Sequence, residues 1–103
     1  MIRHIVLFKI KDFSSEDERK EAAEKVLFNF RSLIGEIPQL RRYKVERDIS
    51  CTNDSYDVII DSDFDSREDL LAYKNHPAHQ FAVEQNRQWC SKKVVVDYET
   101  NYE

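Results

Sequence analysis

The chain has 103 residues, a length at which one domain with a single core is expected. Its formal net charge is −4, so it lacks the basic footprint of a nucleic-acid-binding protein. No apolar run approaches the ~20 residues of a membrane helix, and the short apolar N-terminus has no small-residue cleavage site. These features predict a single cytoplasmic domain over residues 1–103 that binds neither nucleic acid nor membrane.

The two cysteines, Cys51 and Cys90, are far apart and lack the spacing of a metal site or a redox motif. Two free thiols are expected in a cytosolic chain, because disulfides are rare in that compartment. Neither cysteine has a sequence context that indicates a nucleophile.

The first predicted element is a strand over Ile2–Ile10, which is rich in β-branched residues. Side chains alternate between the two faces of a strand. One face carries His4, Val6, Phe8 and Ile10, and the other carries Ile5 and Leu7. Both faces are apolar at the centre, so we expect this strand to be covered on both sides.

A long amphipathic helix is predicted to follow. Ser15 and Glu18 form a capping-box pattern at its start. Apolar residues then recur at helical spacing: Ala22, Ala23, Val26, Leu27, Phe30, Leu33 and Ile34. Gly35 favours a left-handed cap at the end of this helix, and Pro38 prevents the helix from resuming.

Two more strands are predicted next, over residues 40–49 and residues 56–64, with a polar turn between them. In the second of these, one face carries Tyr56, Val58, Ile60 and Phe64, and the other carries Asp57, Asp61 and Asp63. Ser66 and Asp69 repeat the capping-box pattern and predict a short helix through Tyr73.

Pro77 separates this helix from another one. Proline cannot continue a helix without losing a hydrogen bond, but it suits the first position of a new helix, with His76 near the cap. The new helix is predicted to end near Cys90, and one of its faces carries Ala78, Phe81, Ala82, Gln85 and Trp89. The valines at residues 94–96, with Tyr98, predict the last strand.

The order of elements is therefore strand, helix, strand, strand, helix, strand. With right-handed crossovers it predicts an α+β fold, a ferredoxin-like four-stranded antiparallel sheet with the helices on one face. The other face would be an exposed apolar patch unless a partner covered it. A second copy packed sheet to sheet is the simplest cover, so we expect a homodimer through the sheet face.

The candidate chemistry is concentrated in residues 73–79 (YKNHPAH), which hold two of the three histidines. The ordinary pKa of histidine lies nearest neutrality, and a tyrosine hydroxyl can donate or accept a proton. If His4 of the first strand faces the helices, it can line a pocket with His79 and Tyr73. A neutral imidazole there could remove a proton α to a carbonyl, while the phenol hydrogen-bonds the enolate. No metal or organic cofactor would be required.

The same residues could instead have purely structural roles. His76 fits a helix-start residue that bonds local backbone, and His79 could lock two helices together. Tyr73 and His4 could be core residues with satisfied polar atoms. A zinc site of His4, His76 and His79 is a further alternative, although no carboxylate or cysteine has supporting spacing.

Four stretches of the sequence together resemble the stress-responsive dimeric α/β-barrel (Dabb) family. They are residues 2–11 (IRHIVLFKIK), the Ile37-Pro38 pair, the Tyr56-Asp57 pair, and Tyr73 with residues 76–79 (HPAH). The resemblance extends from about Ile2 to Tyr98, nearly the whole chain. It implies a ferredoxin-like protomer whose sheet pairs with that of a second copy to form a dimeric α/β barrel.

The family includes a plant polyketide cyclase, which closes a linear poly-β-keto thioester by aldol condensation. The resemblance implies that Tyr73 and His79 form an acid–base pair and that His4 and His76 bind the ligand. It predicts a small-molecule-binding protein or a cofactor-independent acid–base enzyme acting on a small hydrophobic or carbonyl-containing compound. The alternative is a non-catalytic homodimeric stress-response module, in which the same residues hold the helices in place.

Overall fold

The computed structural model describes residues 1–101, so residues 102–103 of the predicted domain lie outside the described part of the chain. Within residues 1–101 there are four strands: β1 (Ile2–Ile10), β2 (Tyr43–Arg47), β3 (Val58–Phe64) and β4 (Cys90–Glu99). The helices of the same part are α1 (Glu16–Arg31), α2 (Arg67–Asn75) and α3 (Pro77–Asn86). None of these helices is both long and apolar enough to cross a bilayer.

The strands form one antiparallel sheet in the order β2-β3-β1-β4. The most apolar strands, β1 and β3, are therefore central, and β2 and β4 are the edges. Helical segments connect β1 to β2 and β3 to β4 and pack on one side of the sheet. The predicted ferredoxin-like α+β fold is confirmed.

The register of the sheet assigns its residues to two faces. Val6 of β1 lies opposite Ile60 of β3 and Val95 of β4, and these side chains share the face that the helices cover. Leu7 lies opposite Val94 on the other face, which no helix of the described chain covers. Burial alternates along the whole of β1: the residues of the covered face are buried, and those of the other face are half-buried in the single chain.

The hydrophobic core fills the space between the covered face and the helices. The apolar stripe of α1 is buried there, as its spacing predicts: Ala22, Ala23, Val26, Leu27 and Phe30. Phe30 stacks on Phe8 of β1, with ring centroids 5.2 Å apart. Burying one such side chain contributes about 1.5–3 kcal/mol, so this contact helps to fix α1 over the sheet.

The start of α1 agrees with the capping-box prediction, but its end does not. The helix ends at Arg31 rather than at Ile34, which is exposed. Ile34 N–H donates to the Arg31 carbonyl and Glu36 N–H to the Leu33 carbonyl, so bonds of three-residue spacing tighten the chain into turns. Gly35 follows with φ +87°, the left-handed conformation that its position predicts.

The predicted strand over residues 40–49 is too long at both ends. Before β2, Asp63 N–H donates to the Arg42 carbonyl and Arg41 N–H donates to the Asp63 carbonyl, outside the regular ladder. After β2, the Asp48 carboxylate accepts a hydrogen bond from Cys51 N–H at 2.8 Å. This local bond closes a turn and leaves Ile49 95% exposed. The following strand, β3, begins at Val58 rather than at residue 56.

The break at Pro77 is confirmed, but α3 ends at Asn86 rather than near Cys90, and its predicted face is right only in part. Ala82 of that face is buried, but Phe81 is 66% exposed, and Asn86, which lies outside the predicted face, is buried. Asn86 Oδ1 accepts a hydrogen bond from Asn29 Nδ2 of α1 at 2.9 Å. Because this polar contact joins two helices, the packed side of α3 could not be recognised from apolar residues alone.

The packing of α3 leaves an open volume next to β4. This helix packs mainly on α1 and α2, and β4 packs mainly on β1. No helix therefore packs closely along β4, whose covered-face residues are Lys93, Val95 and Asp97. The space between α3 and the β1–β4 pair is where the candidate site lies.

Candidate functional site

A cavity of about 440 Å³ lies between α2 and α3 on one side and β1 and β4 on the other. We call it the main cavity. Its lining combines apolar side chains with polar and charged ones. It is lined by His4, Val6, Phe8, Phe30, Ile60, Tyr73, Lys74, His79, Gln80, Val83, Glu84, Arg87, Lys93 and Val95.

Tyr73 projects from α2 into the core and forms part of the cavity wall. Its ring is fully buried, 5.0 Å from Phe64 and 4.3 Å from His79, measured between ring centroids. Its hydroxyl lies 3.5 Å from the hydroxyl of Tyr43, a long and weak hydrogen bond. Burial raises the pKa of Tyr73 to about 12, so the phenol stays protonated at neutral pH and can donate a hydrogen bond.

His79 is the third residue of α3 and lies in its first turn, where the Pro77 break directs it back toward α2. Its Nδ1 lies 3.1 Å from the Lys74 carbonyl, which can only accept, so Nδ1 carries the proton. In the neutral ring Nε2 then holds a lone pair. Burial lowers the pKa of His79 below its ordinary value of 6.5, which favours this neutral, basic form.

His4 faces the helices, and its Nδ1 hydrogen-bonds Asp97 Oδ1 on the neighbouring strand. Asp97 also pairs with Lys74, whose Nζ lies 3.6 Å from Oδ2. Burial lowers the pKa of His4, and Asp97 opposes that shift. A carboxylate that accepts from Nδ1 fixes the ring and leaves Nε2 as the free nitrogen, as it does for His79.

Asp97 was not recognised from the sequence. It is 93 residues from His4 and belongs to no motif, and only the β1–β4 register places the two opposite each other. Pairing alternate residues of the first and last predicted strands would have been the signal.

His76 does not line the main cavity. It is the N-cap of α3, and its Nδ1 accepts a hydrogen bond from Ala78 N–H at 3.0 Å. The structure thus brings together His4, Tyr73 and His79 but directs His76 elsewhere. The local-backbone role of His76 is confirmed, and its predicted ligand-binding role has no support from this placement.

The same arrangement bears on the zinc alternative. Within residues 1–101 no group of three or more histidine, cysteine, aspartate or glutamate side chains is placed to hold a metal ion. The proposed third ligand, His76, uses Nδ1 for the helix cap. Both cysteines are free thiols, as predicted.

The site therefore combines two imidazoles with free Nε2 atoms and one protonated phenol around an apolar cavity. The rings of His4 and Tyr73 are 6.0 Å apart between centroids, and Tyr73 contacts His79 directly. A proton acceptor and a hydrogen-bond donor at this distance suit general acid–base chemistry.

The family model of the stress-responsive A/B barrel domain matches residues 2–100. The chain belongs to this family. The resemblance found in the sequence is thereby confirmed over almost the whole chain.

Relatives of this domain differ in how much is known about them. An uncharacterized protein of Streptomyces coelicolor, SCO4036, is 39% identical over 99 residues, covering 96% of this chain and 99% of that protein. Olivetolic acid cyclase of Cannabis sativa is 25% identical over 99 residues, covering 94% of each chain. A dimeric protein of unknown function and ferredoxin-like fold from Bacteroides fragilis matches in structure with a TM-score of 0.85 and 25% identity, over 96% of this chain and 95% of that one.

Proposed function

We propose that this domain binds a small carbonyl-containing compound in the main cavity and acts on it by cofactor-independent acid–base chemistry. The observation that carries the proposal is the cavity itself. It is bordered by Tyr73, by His79 with its free Nε2, and by His4 held by Asp97. Its volume of about 440 Å³ falls in the range of small-molecule sites. The likeness to olivetolic acid cyclase supports the same class of reaction.

The proposed step is proton removal from the carbon next to a carbonyl. His79 Nε2 takes the proton, and the electron pair of the broken C–H bond moves onto the carbonyl oxygen as an enolate. The protonated hydroxyl of Tyr73 donates a hydrogen bond to that oxygen. In an aldol closure the enolate carbon bonds a second carbonyl carbon, and His79 returns its proton to the new alkoxide.

The first experiment is a thermal-shift screen of β-keto esters and aromatic ketones, because a ligand of the folded state raises its melting temperature. The best ligand is then placed in D₂O, and hydrogen–deuterium exchange at its α carbon is followed by ¹H NMR. His79→Asn should slow this exchange about 100-fold, the size expected for losing a general base. Asparagine keeps an N–H donor for the Lys74 carbonyl, so the melting temperature should change little.

His76→Asn is the matched control, since it makes the same replacement three residues away and outside the cavity. It should leave α-carbon exchange unchanged. Equal exchange in wild type and His79→Asn would show that His79 is not the base. A screen in which no carbonyl compound raises the melting temperature would count against ligand binding altogether.

A non-catalytic homodimeric module is the second candidate function. It is favoured by the hydrogen bonds that His79 and Tyr73 make within the chain itself. His79 bonds the Lys74 carbonyl and so ties α3 to α2, and the Tyr73 hydroxyl faces that of Tyr43. In this case His79→Ala would lower the melting temperature and His79→Asn would restore it, with no ligand effect in either variant.

We further propose a homodimer through the bare face of the sheet. That face presents a continuous group of apolar side chains: Ile5, Leu7, Ile59, Val94, Val96 and Tyr98. Several of them are exposed in the single chain, and burying them would remove apolar surface from water. The dimeric state of the Bacteroides fragilis relative supports this arrangement.

A further inference from the structure

A second, smaller cavity of about 200 Å³ adjoins the main cavity at the C-terminal end of α3. We call it the side cavity. Four residues line both cavities, so the two are continuous: Phe8, Val83, Arg87 and Lys93. The side cavity is completed by Asn86, Cys90, Ser91 and Lys92.

The acid–base residues and the side cavity lie at opposite ends of one trough. Along α3, His79 and Arg87 are eight residues apart, which is roughly 12 Å at the rise of a helix. Along β1, His4 and Phe8 are four residues apart, roughly 13 Å in a strand. Val83 lies between His79 and Arg87, and Val6 lies between His4 and Phe8, so apolar side chains line the stretch between the ends. A ligand that reached both ends would be elongated.

The side cavity is positively charged, although the whole chain has a net charge of −4. Its lining contains Arg87, Lys92 and Lys93 and no carboxylate. Arg87 pairs with Glu84 at 3.1 Å, but both side chains are mostly exposed, and such surface pairs are weak. Among residues 1–101, Lys93 has no carboxylate within ion-pair distance.

Asn86 provides a second and independent sign of an anion site. The residue is 2% exposed, and its Oδ1 is occupied by Asn29, yet its Nδ2 donor has no hydrogen-bond partner within the described chain. A buried N–H without a partner costs free energy, and such groups call for an acceptor. Asn86 lines the side cavity, so its amide lies beside any oxyanion that Lys93 holds there.

Cys90, a partly buried thiol of the lining, does not oppose an anion. Burial raises the pKa of its thiol to about 11, so it is uncharged at neutral pH. The cations and the free amide donor are therefore not offset by a negative charge within the lining.

We infer that the side cavity is an anion subsite and that the ligand is an elongated molecule with a carboxylate at one end and its reactive carbonyl at the other. The carboxylate lies against Lys93, Arg87 and the Asn86 amide, and an apolar body fills the trough. This inference rests on the proposed function, because it assigns the orientation of the ligand in the same cavity.

The experiment compares decanoate with decanamide, which has the same chain but no charge. Binding of each is measured by isothermal titration calorimetry at low ionic strength. Decanoate should bind more tightly, and added salt should reduce its advantage by screening. Lys93→Met should weaken decanoate binding about fivefold, the scale of a partly exposed charge pair, and leave decanamide binding unchanged.

Lys20→Met is the control, because it removes a lysine charge from exposed α1 outside both cavities. It should change the binding of neither probe. Asn86→Asp provides a second variant. Its carboxylate can still accept from Asn29, but it places a negative charge against the bound anion, so it should abolish the preference for decanoate.

The outcomes separate the two proposals. A decanoate preference that is lost in Lys93→Met and kept in Lys20→Met supports the anion subsite. Equal binding of both probes, with no effect of Lys93→Met, overturns the subsite but leaves the cavity as a ligand site. Failure of both probes to bind, together with a carbonyl screen that finds no ligand, overturns the subsite and the proposed function together.

Discussion

The helix-covered face and the bare face of the sheet are built from alternate residues of the same strands, but they differ in what surrounds their side chains. On the covered face His4 is 4% exposed and borders a cavity. On the bare face Leu7 and Val94 have no cover, and the charged residues pair with one another, Arg3 with Asp63. A shift of one residue along β1 thus moves from the candidate site to the proposed interface. Substitutions at neighbouring positions should therefore change different properties.

The largest expected effect is on the bare face. Leu7→Asp places a charge at the centre of the proposed interface, and burying an unpaired charge costs several kcal/mol. We expect the dimer dissociation constant to rise at least about 100-fold, with the fold retained. Analytical ultracentrifugation measures the dissociation constant, and circular dichroism checks the fold.

Ile49→Asp is the control for this prediction, since Ile49 is an aliphatic residue 95% exposed in the loop after β2. It should leave the dimer intact. A Leu7→Asp protein that stays dimeric at micromolar concentration would rule out the bare face as the interface.

The second prediction concerns the charges that border the apolar part of the bare face. Asp63 accepts hydrogen bonds from Arg3 at 2.8 and 3.1 Å and is nearly buried. Asp63→Ala would leave Arg3 and Arg42 without this partner, and we expect the melting temperature to fall by about 10 °C. The equivalent change at Asp65, whose pair with Arg41 is half-exposed, should have little effect.

The free energy of unfolding at acid pH gives a further check on Asp63. The Arg3 guanidinium holds the pKa of that carboxyl below its usual value of 3.8. The unfolded chain therefore binds this proton first as the pH falls, so the stabilisation is present above that value and is lost below it. Asp63→Ala should make the free energy of unfolding less dependent on pH in this acid range. An unchanged dependence would mean that the ion pair does not stabilise the fold.

The assignment of residues to the two faces of the sheet could largely be predicted from patterns of residues close in sequence. Alternation along β1 places His4 and Val6 on one face and Leu7 on the other, and capping residues locate the starts of α1 and α2. These features depend on residues that are close in sequence. The end of α1 and the exposure of Phe81 depend on packing between helices, which local periodicity does not report.

The candidate site was predictable only in part for the same reason. The Pro77 break directs His79 toward Tyr73, and both lie in one short segment of sequence. The partner of His4 is Asp97, which the β1–β4 register supplies across almost the entire chain. The gap above β4 exists because α3 rests on other helices, and no sequence motif encodes that gap.

A third prediction concerns the covered face. Burial lowers the pKa of both His4 and His79 below 6.5. As the pH falls through 6.5 the unfolded chain binds protons that the folded chain resists, so the free energy of unfolding decreases. We expect the melting temperature to drop by about 5 °C between pH 7.5 and pH 5.5, measured by calorimetry.

His79→Asn removes one of these two groups and should reduce the drop. A melting temperature that is constant over this range, or one that rises as the pH falls, would contradict the burial of neutral imidazoles. Because Asp63 titrates at lower pH than the histidines, the two faces of the sheet should change the free energy of unfolding in separate pH ranges.

The smallest expected effect is at His76, which belongs to neither face. Its Nδ1 accepts from Ala78 N–H, so His76→Ala should cost about 0.5 kcal/mol as a lost N-cap, or roughly 2–4 °C in melting temperature. His76→Asn should restore most of this, since asparagine is a good N-cap. The two histidines of the segment make opposite use of Nδ1, with His79 donating and His76 accepting. Ligand binding should therefore respond to substitution at His79 and not at His76, and loss of binding in His76→Asn would show that the cap and the cavity are coupled.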